Sequence, residues 1–259
     1  MKKFLSFLLS ILLATSALTA TARADGLAEL KARYKIVEYM RAAATIPWTP
    51  ETDIPYWNAN QEFTFKAGVT YYGEPYTQSG RDCDYDAFRA QLKEERGRFV
   101  YTGPSTRSTY RGTDCSSTVS HAWREVSPDF PTLSTGAMLP GRQKLIDAVG
   151  SYQFSDERTT DVIVENNGLE TMKAAYAELK PGDAVLTRRS TGHVMLVVQN
   201  DPENNRLFII DQTGCANGVP KGLDGRSTFR LNHEISYDEL FKSYYIPIRL
   251  GALNEISAE

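Results

Sequence analysis

Cys115 stands in Gly112-Thr113-Asp114-Cys115-Ser116-Ser117-Thr118-Val119, a glycine turn that runs directly into an apolar-periodic helix. A helix start carries unsatisfied backbone N–H groups and the positive end of the macrodipole, and both favour thiolate over thiol. A free cysteine titrates near ~8.5, and such a position can bring it to roughly neutral or below. Downstream, His193 opens the β-branched run Gly192-His193-Val194-Met195-Leu196-Val197-Val198. Cysteine on a helix start and histidine on a strand start are the two halves of a thiol nucleophile and its base. A third group must fix the imidazole tautomer. Asp211, at the end of Phe208-Ile209-Ile210-Asp211-Gln212-Thr213, has the chemistry and position for that task, with Gln212 beside it as a competitor.

Each residue also has an ordinary reading. Cysteine is among the residue types most often simply buried. Asp114 reads as the helix N-cap whether or not the cysteine reacts. His121, about two turns along the same helix, reads as structural, and His233 as a loop or strand-end residue. Trp123 reads as core. Asp183 shapes a Pro-Gly-Asp turn. Arg188 and Arg189, beside the histidine strand, are either solvated surface charge or a grip on a substrate carboxylate.

The elements that must position these groups follow from periodicity and punctuation. Leu27 to Ala44 has helical spacing and strong helix formers. Tyr85 to Arg96 reads as helical, Arg98–Tyr101 as a short strand, and Cys115 to about Val126 as a helix stopped by Ser127-Pro128. Gln143–Val149 and Leu169–Leu179 read as further helices. After Pro181-Gly182-Asp183 the period becomes strand-like over Ala184–Arg188, His193–Gln199, Leu207–Asp211, Thr228–Leu231 and Tyr245–Leu250. Helices first and sequential strands later predict an α+β fold.

Lys2 and Lys3, the mostly apolar stretch Phe4–Leu18 and Ala22-Arg23-Ala24 predict a secretory signal over 1–24, too short for a membrane span and with no cysteine at the cleavage point for a lipid anchor. An exported protein, secreted or in the periplasm and cell envelope, is expected. The net charge of −3 and the lack of a basic run interleaved with aromatics exclude nucleic acid as the expected partner. Three cysteines leave two arrangements open: a Cys83–Cys215 disulfide with Cys115 free, or three unpaired thiols. No metal-ligand spacing, phosphate loop, dinucleotide fingerprint or Gly-x-Ser-x-Gly elbow appears, so neither metal nor cofactor is expected.

Gly112-Thr113-Asp114-Cys115-Ser116, Leu179-Lys180-Pro181-Gly182-Asp183-Ala184-Val185 followed by Gly192-His193-Val194, and Phe208–Thr213 occur in an order that resembles the NlpC-type and CHAP-like papain-fold cell-wall cysteine peptidases. The resemblance implies a papain-like fold, with the nucleophile-bearing helix packed on an antiparallel sheet that carries the histidine. It implies an amidohydrolase site of Cys115, His193 and Asp211. Tyr76, in Gly73-Glu74-Pro75-Tyr76, matches the family's upstream tyrosine, although its gap to Cys115 is longer than usual. Tyr76, Asp114, Ser116 and Gly192 are expected to face substrate. The implied substrate is peptidoglycan or its stem-peptide fragments, cut at a γ-D-glutamyl–diamino-acid link, by a monomer. The alternatives are a related thiol acyltransferase or lipid/ester hydrolase, and a non-catalytic wall-binding module. The expected organisation is a signal over 1–24, a helical extension or subdomain over 25–65, and a hydrolase domain over 66–259.

Overall fold

The apolar stripe Ile36, Val37, Met40, Ala43 and Ala44 is buried on a helix over residues 26–45 (α1), whose opposite side leaves Leu27, Leu30 and Tyr34 exposed. The structure, a computed structural model, describes residues 26–256 apart from residue 217; the leader expected at 1–24 lies outside the described residues. Prolines end α1 and begin short strands: Pro47–Pro50 (β1), Ile54–Pro55 (β2), Thr64–Phe65 (β3) and Tyr71–Tyr72 (β4). Helix α2 covers only Tyr85–Arg89, and the chain then forms a hairpin of Leu92–Glu95 (β5) and Arg98–Tyr101 (β6). The helix expected to reach Arg96 is therefore cut short. Arg96 and Gly97 both take positive φ, 52° and 75°, the geometry of a tight two-residue hairpin turn. The first sheet runs β4-β1-β6-β5 around Trp48, which packs on Phe65, Tyr71, Phe88 and Tyr101.

The second half supplies α3 (Cys115–Arg124), β7 (Ile146–Ala148), α4 (Thr160–Ala177), β8 (Ala184–Arg188), β9 (Gly192–Asp201), β10 (Arg206–Gln212), β11 (Cys215–Ala216), β12 (Val219–Pro220), β13 (Phe229–Ser236), α5 (Tyr237–Lys242), β14 (Ile246–Leu250) and α6 (Gly251–Ile256). Six strands form one sheet in the order β13-β10-β9-β8-β14-β7, with every pairing antiparallel. The fold is α+β. Helix α3 packs on β9 and β10, and α4 on β8 and β14. Val194 through Val197 are all buried, which is why β9 reads as a continuous apolar run. The segment Gln143–Val149, expected as a helix, instead contributes edge strand β7, pairing Ile146 with Leu250. So short a segment cannot repay helix nucleation when an open sheet edge offers it partners.

The main core joins α1 to α3 and to β8, β9 and β10, and it includes Cys115 and Trp123. Asp183, in the Pro-Gly-Asp turn, fastens α1 from beneath: its buried carboxylate accepts from Arg33 Nη1 at 2.8 Å and from Arg249 Nε at 2.8 Å. A second cluster joins Ile46, Trp48 and Ile54 to Tyr71, Phe88, Tyr101 and Tyr110, so buried contacts run across residues 65 and 66. Cys83, Cys115 and Cys215 are all free thiols, which corrects the Cys83–Cys215 pairing. The two sulfurs sit in separate settings: Gln91 Nε2 approaches Cys83 Sγ at 3.5 Å, while the Cys215 backbone N–H binds the Tyr56 hydroxyl at 3.2 Å. Among the described residues no helix is long and apolar enough to cross a membrane.

Candidate active site

Asp114 begins the site by capping α3. Its Oδ1 accepts the N–H of Ser116 at 3.1 Å and of Ser117 at 2.8 Å, while the Ser117 hydroxyl accepts the Asp114 N–H at 2.8 Å. This capping box engages the second and third helical amides and leaves the Cys115 N–H outside the cap. The other carboxylate oxygen, Oδ2, accepts from Arg81 Nη1 at 3.0 Å. Ser116 donates its hydroxyl to Asp114 Oδ1 at 2.9 Å, so it serves the cap as well as the cleft wall. Cys115 is thereby held at the first turn of a fixed helix, 6 % exposed.

His193 lies at the start of β9, opposite Thr187 on β8. The register that pairs Ile210 with Leu196 makes Asp211 and His193 diagonal neighbours on one sheet face. His193 Nε2 meets Asp211 Oδ2 at 2.6 Å. Cys115 is close enough to act on the same ring, and with Nε2 occupied by Asp211, Nδ1 is the nitrogen left free to serve the sulfur. Burial of the ring favours the neutral imidazole, but Asp211 and Cys115 outweigh it and raise the His193 pKa to about 10. Burial likewise opposes ionisation of Asp211; His193 and Arg230 outweigh it and hold the carboxyl below its usual range. The His193–Asp211 pair can therefore rest as imidazolium and carboxylate beside the Cys115 sulfur.

Arg230 is the member that sequence reasoning missed. It donates Nε to Asp211 Oδ1 at 2.9 Å and Nη2 to Asp211 Oδ2 at 2.7 Å, a two-pronged grip on a carboxylate with no exposed side-chain surface. Its Nη1 reaches His233 Nε2 at 3.0 Å, so His233 backs the arginine. The available signal was an arginine in the strand expected at Thr228–Leu231, which becomes β13. Gln212, the competitor of Asp211, points elsewhere. Its Oε1 accepts from Thr113 Oγ1 and Thr118 Oγ1, each at 2.9 Å, and its Nε2 donates to the Glu74 carbonyl at 2.9 Å. Behind it, Glu74 is wholly buried, with one oxygen bound to Thr113 Oγ1 at 3.0 Å and the other, Oε1, without a partner among the described residues. Burial, partly offset by Thr113, raises the Glu74 pKa to about 8, so this carboxyl is neutral at pH 7.

Tyr76 is brought to the site despite its long gap from Cys115. A parallel bridge pairs Tyr76 with Thr113: Thr113 N–H donates to the Pro75 carbonyl at 3.2 Å, and Thr77 N–H to the Thr113 carbonyl at 2.8 Å. Gly112 permits this approach, since a Cβ there would meet the Pro75 oxygen at 2.0 Å. The Tyr76 ring lies beside Trp57 at 6.1 Å and near enough to Cys115 that burial and the cysteine charge together raise its hydroxyl pKa. Gly192 serves a similar purpose across the cleft, where a Cβ would meet Thr135 Oγ1 at 2.0 Å.

Cys115 and Gly192 face a polar cleft of about 450 Å³, walled by Gln78, Arg81, Ser116, Thr135, Arg188 and Thr191. Ser134 and Thr135 enter it from the loop over residues 130–141, which forms its rim. Arg189 turns away, to Asp161 at 3.7 Å and over the Tyr244 ring at 4.8 Å. His121 is buried and bonds Asp82 Oδ1 at 3.1 Å, a structural role apart from the cleft. Among the described residues no group of three or more His, Cys, Asp or Glu side chains can hold a metal ion. No protein-family model, no curated protein and no solved structure matches the chain.

Proposed function

We propose that this protein is a papain-like cysteine amidohydrolase of the cell envelope that cuts an amide bond in peptidoglycan stem peptides. The observation that carries this reading is the His193 ring, bound through Nε2 to Asp211 at 2.6 Å and close enough to Cys115 to feel its sulfur. In the proposed reaction the Cys115 thiolate attacks the carbonyl carbon, and the Cys115 N–H at the helix start offers a donor to the developing oxyanion, worth about 3 kcal/mol in comparable sites. The C–N bond breaks as His193 passes its Nδ1 proton to the departing amine, leaving a thioester. His193 then takes a proton from water, hydroxide adds to the thioester carbonyl, and the C–S bond breaks to return the thiolate. Asp211 holds the ring in the required tautomer throughout, and Arg230 holds Asp211.

The cleft's polar walls support a peptide substrate over an acyl chain, which would need apolar lining. The endopeptidase choice, at a γ-D-glutamyl–diamino-acid link, rests on the resemblance of the Asp114-Cys115-Ser116 and Gly192-His193 motifs. The test is mass analysis of fragments released from purified sacculi by wild type and by Cys115→Ala. Fragments ending at one defined amide, from wild type alone, are expected. Equal release by both proteins, or none by wild type under reducing conditions, overturns the reading.

A further inference from the structure

Arg188 closes β8 directly opposite Gly192, the residue before His193. Its backbone is pinned, since its N–H donates to Thr160 Oγ1 at 3.0 Å near the start of α4. Its side chain crosses the rim loop, where a Cβ at Gly136 would lie 3.6 Å from Arg188 Nε. Arg188 is thereby one of the residues that line the cleft holding Cys115.

The charges around that cleft do not balance. Its one acid, Asp114, is engaged by Arg81 and by the first turn of α3. His193 is paired with Asp211, which Arg230 also holds. Among the described residues Arg188 has no carboxylate partner, whereas its neighbour Arg189 pairs with Asp161. One planar, permanently charged group therefore faces the cleft with the hydroxyls of Thr135 and Thr191 among its walls. A carboxylate matches this fork in shape and charge, and the hydroxyls add donors.

We propose that Arg188 sets the substrate class of the cleft by binding a free carboxylate carried by the substrate close to the scissile amide. The inference rests on the hydrolase reading and adds which residue selects an anionic peptide. A neutral analogue leaves the guanidinium desolvated and unpaired, and is selected against for that reason.

The experiment uses two synthetic peptides that differ only in a carboxylate or a carboxamide beside the scissile amide. Wild type, Arg188→Ala, Arg188→Lys and Arg81→Lys are compared. Wild type is expected to prefer the carboxylate by about ten- to a hundredfold in kcat/KM, mainly through KM, because a charge-assisted hydrogen bond is lost with the carboxamide. The preference should fall to near unity in Arg188→Ala, persist in part in Arg188→Lys and survive in Arg81→Lys. A wild-type ratio near one, or one retained in Arg188→Ala, overturns the proposal. Calorimetric binding of both peptides to Cys115→Ala and to the Cys115→Ala/Arg188→Ala double variant separates the two readings. If wild type cuts neither peptide the hydrolase reading falls, while a carboxylate preference in binding that vanishes with Arg188 still supports the cation's role. Binding of neither form, or a preference independent of Arg188, overturns it.

Discussion

Asp211 and Arg230 face each other across the β10–β13 pairing and are joined by two hydrogen bonds, at 2.9 and 2.7 Å. The ladder between them is irregular, with a register shift between Ile209 and Asp211. That shift sets Arg230 opposite Asp211, and the arginine neutralises a carboxylate that would otherwise be costly to bury. Replacing Arg230 with Met should lower stability by about 2 kcal/mol, below the usual cost of breaking a buried pair because His193 still partners Asp211 and the arginine is partly solvated. It should also reduce kcat more than KM, with part of the loss recovered in Arg230→Lys. Chemical denaturation and steady-state kinetics on the three proteins check this; an unchanged kcat in Arg230→Met would deny the arginine a positioning role.

The pH profile should have a late alkaline limb. His193 must be protonated to release the amine, and its pKa is raised to about 10 against a model-peptide value of 6.5. A raised histidine pKa contributes stability that is present below 6.5 and lost as pH rises through about 10, so activity should decline only in the alkaline range. Asp211→Asn removes a main cause of the shift. Its alkaline limb should move down toward neutrality, with kcat reduced on the order of a hundredfold or more. Coincident limbs for wild type and Asp211→Asn would contradict the assignment of Asp211 as orienting group.

The three thiols should differ sharply in reactivity. Burial is the main cause that pushes Cys83 and Cys215 each up to about 12, whereas Cys115 has the imidazolium as partner. Iodoacetamide at neutral pH should therefore modify Cys115 first, by at least about tenfold in rate. Peptide mapping by mass spectrometry reads out the order. In His193→Ala the advantage should shrink; Cys83 or Cys215 reacting first in the folded wild type would sink the thiolate–imidazolium pair.

Glu74 gives a stability prediction independent of activity. Its pKa rises from 4.5 to about 8 in the fold, so the native state holds a proton that the unfolded chain has already lost. Stability should fall as pH rises between those values, by up to about 1.4 kcal/mol per pH unit, and level off above them. Glu74→Gln cannot ionise and should lack this slope. Thermal unfolding of both proteins from pH 5 to 9 tests it, and parallel curves would show that Glu74 is not the group responsible.

The reading of Cys115, His193 and Asp211 from sequence depended on local signals: a capped helix start, a glycine turn into an apolar strand, and a strand ending in polar groups. Strand Ala184–Arg188 and most of the helix at Cys115 were legible for the same reason. Arg230 was not, because its partner is chosen by a strand register containing a shift that no local pattern encodes. The choice between Asp211 and Gln212 needed the sheet as well. Successive side chains leave opposite faces, and only the registered partner strand decides which face carries the histidine. Gln143–Val149 and the end of the Tyr85 helix failed where tertiary pairing overrode a weak helical pattern. Glu74 lay in a polar, turn-rich stretch, and nothing there announced that its carboxyl would be sealed from water.

The Tyr76–Thr113 bridge has a consequence for how this chain can vary. The backbone leaves the site after Tyr76 and returns at Thr113 to the same spot, where Thr77 and Pro75 grip Thr113 from both sides. The hairpin of β5 and β6 lies wholly within that excursion. Its far end can lengthen or shorten while the two strands at its neck stay fastened. Such an arrangement lets a lineage remodel that hairpin without moving the sulfur.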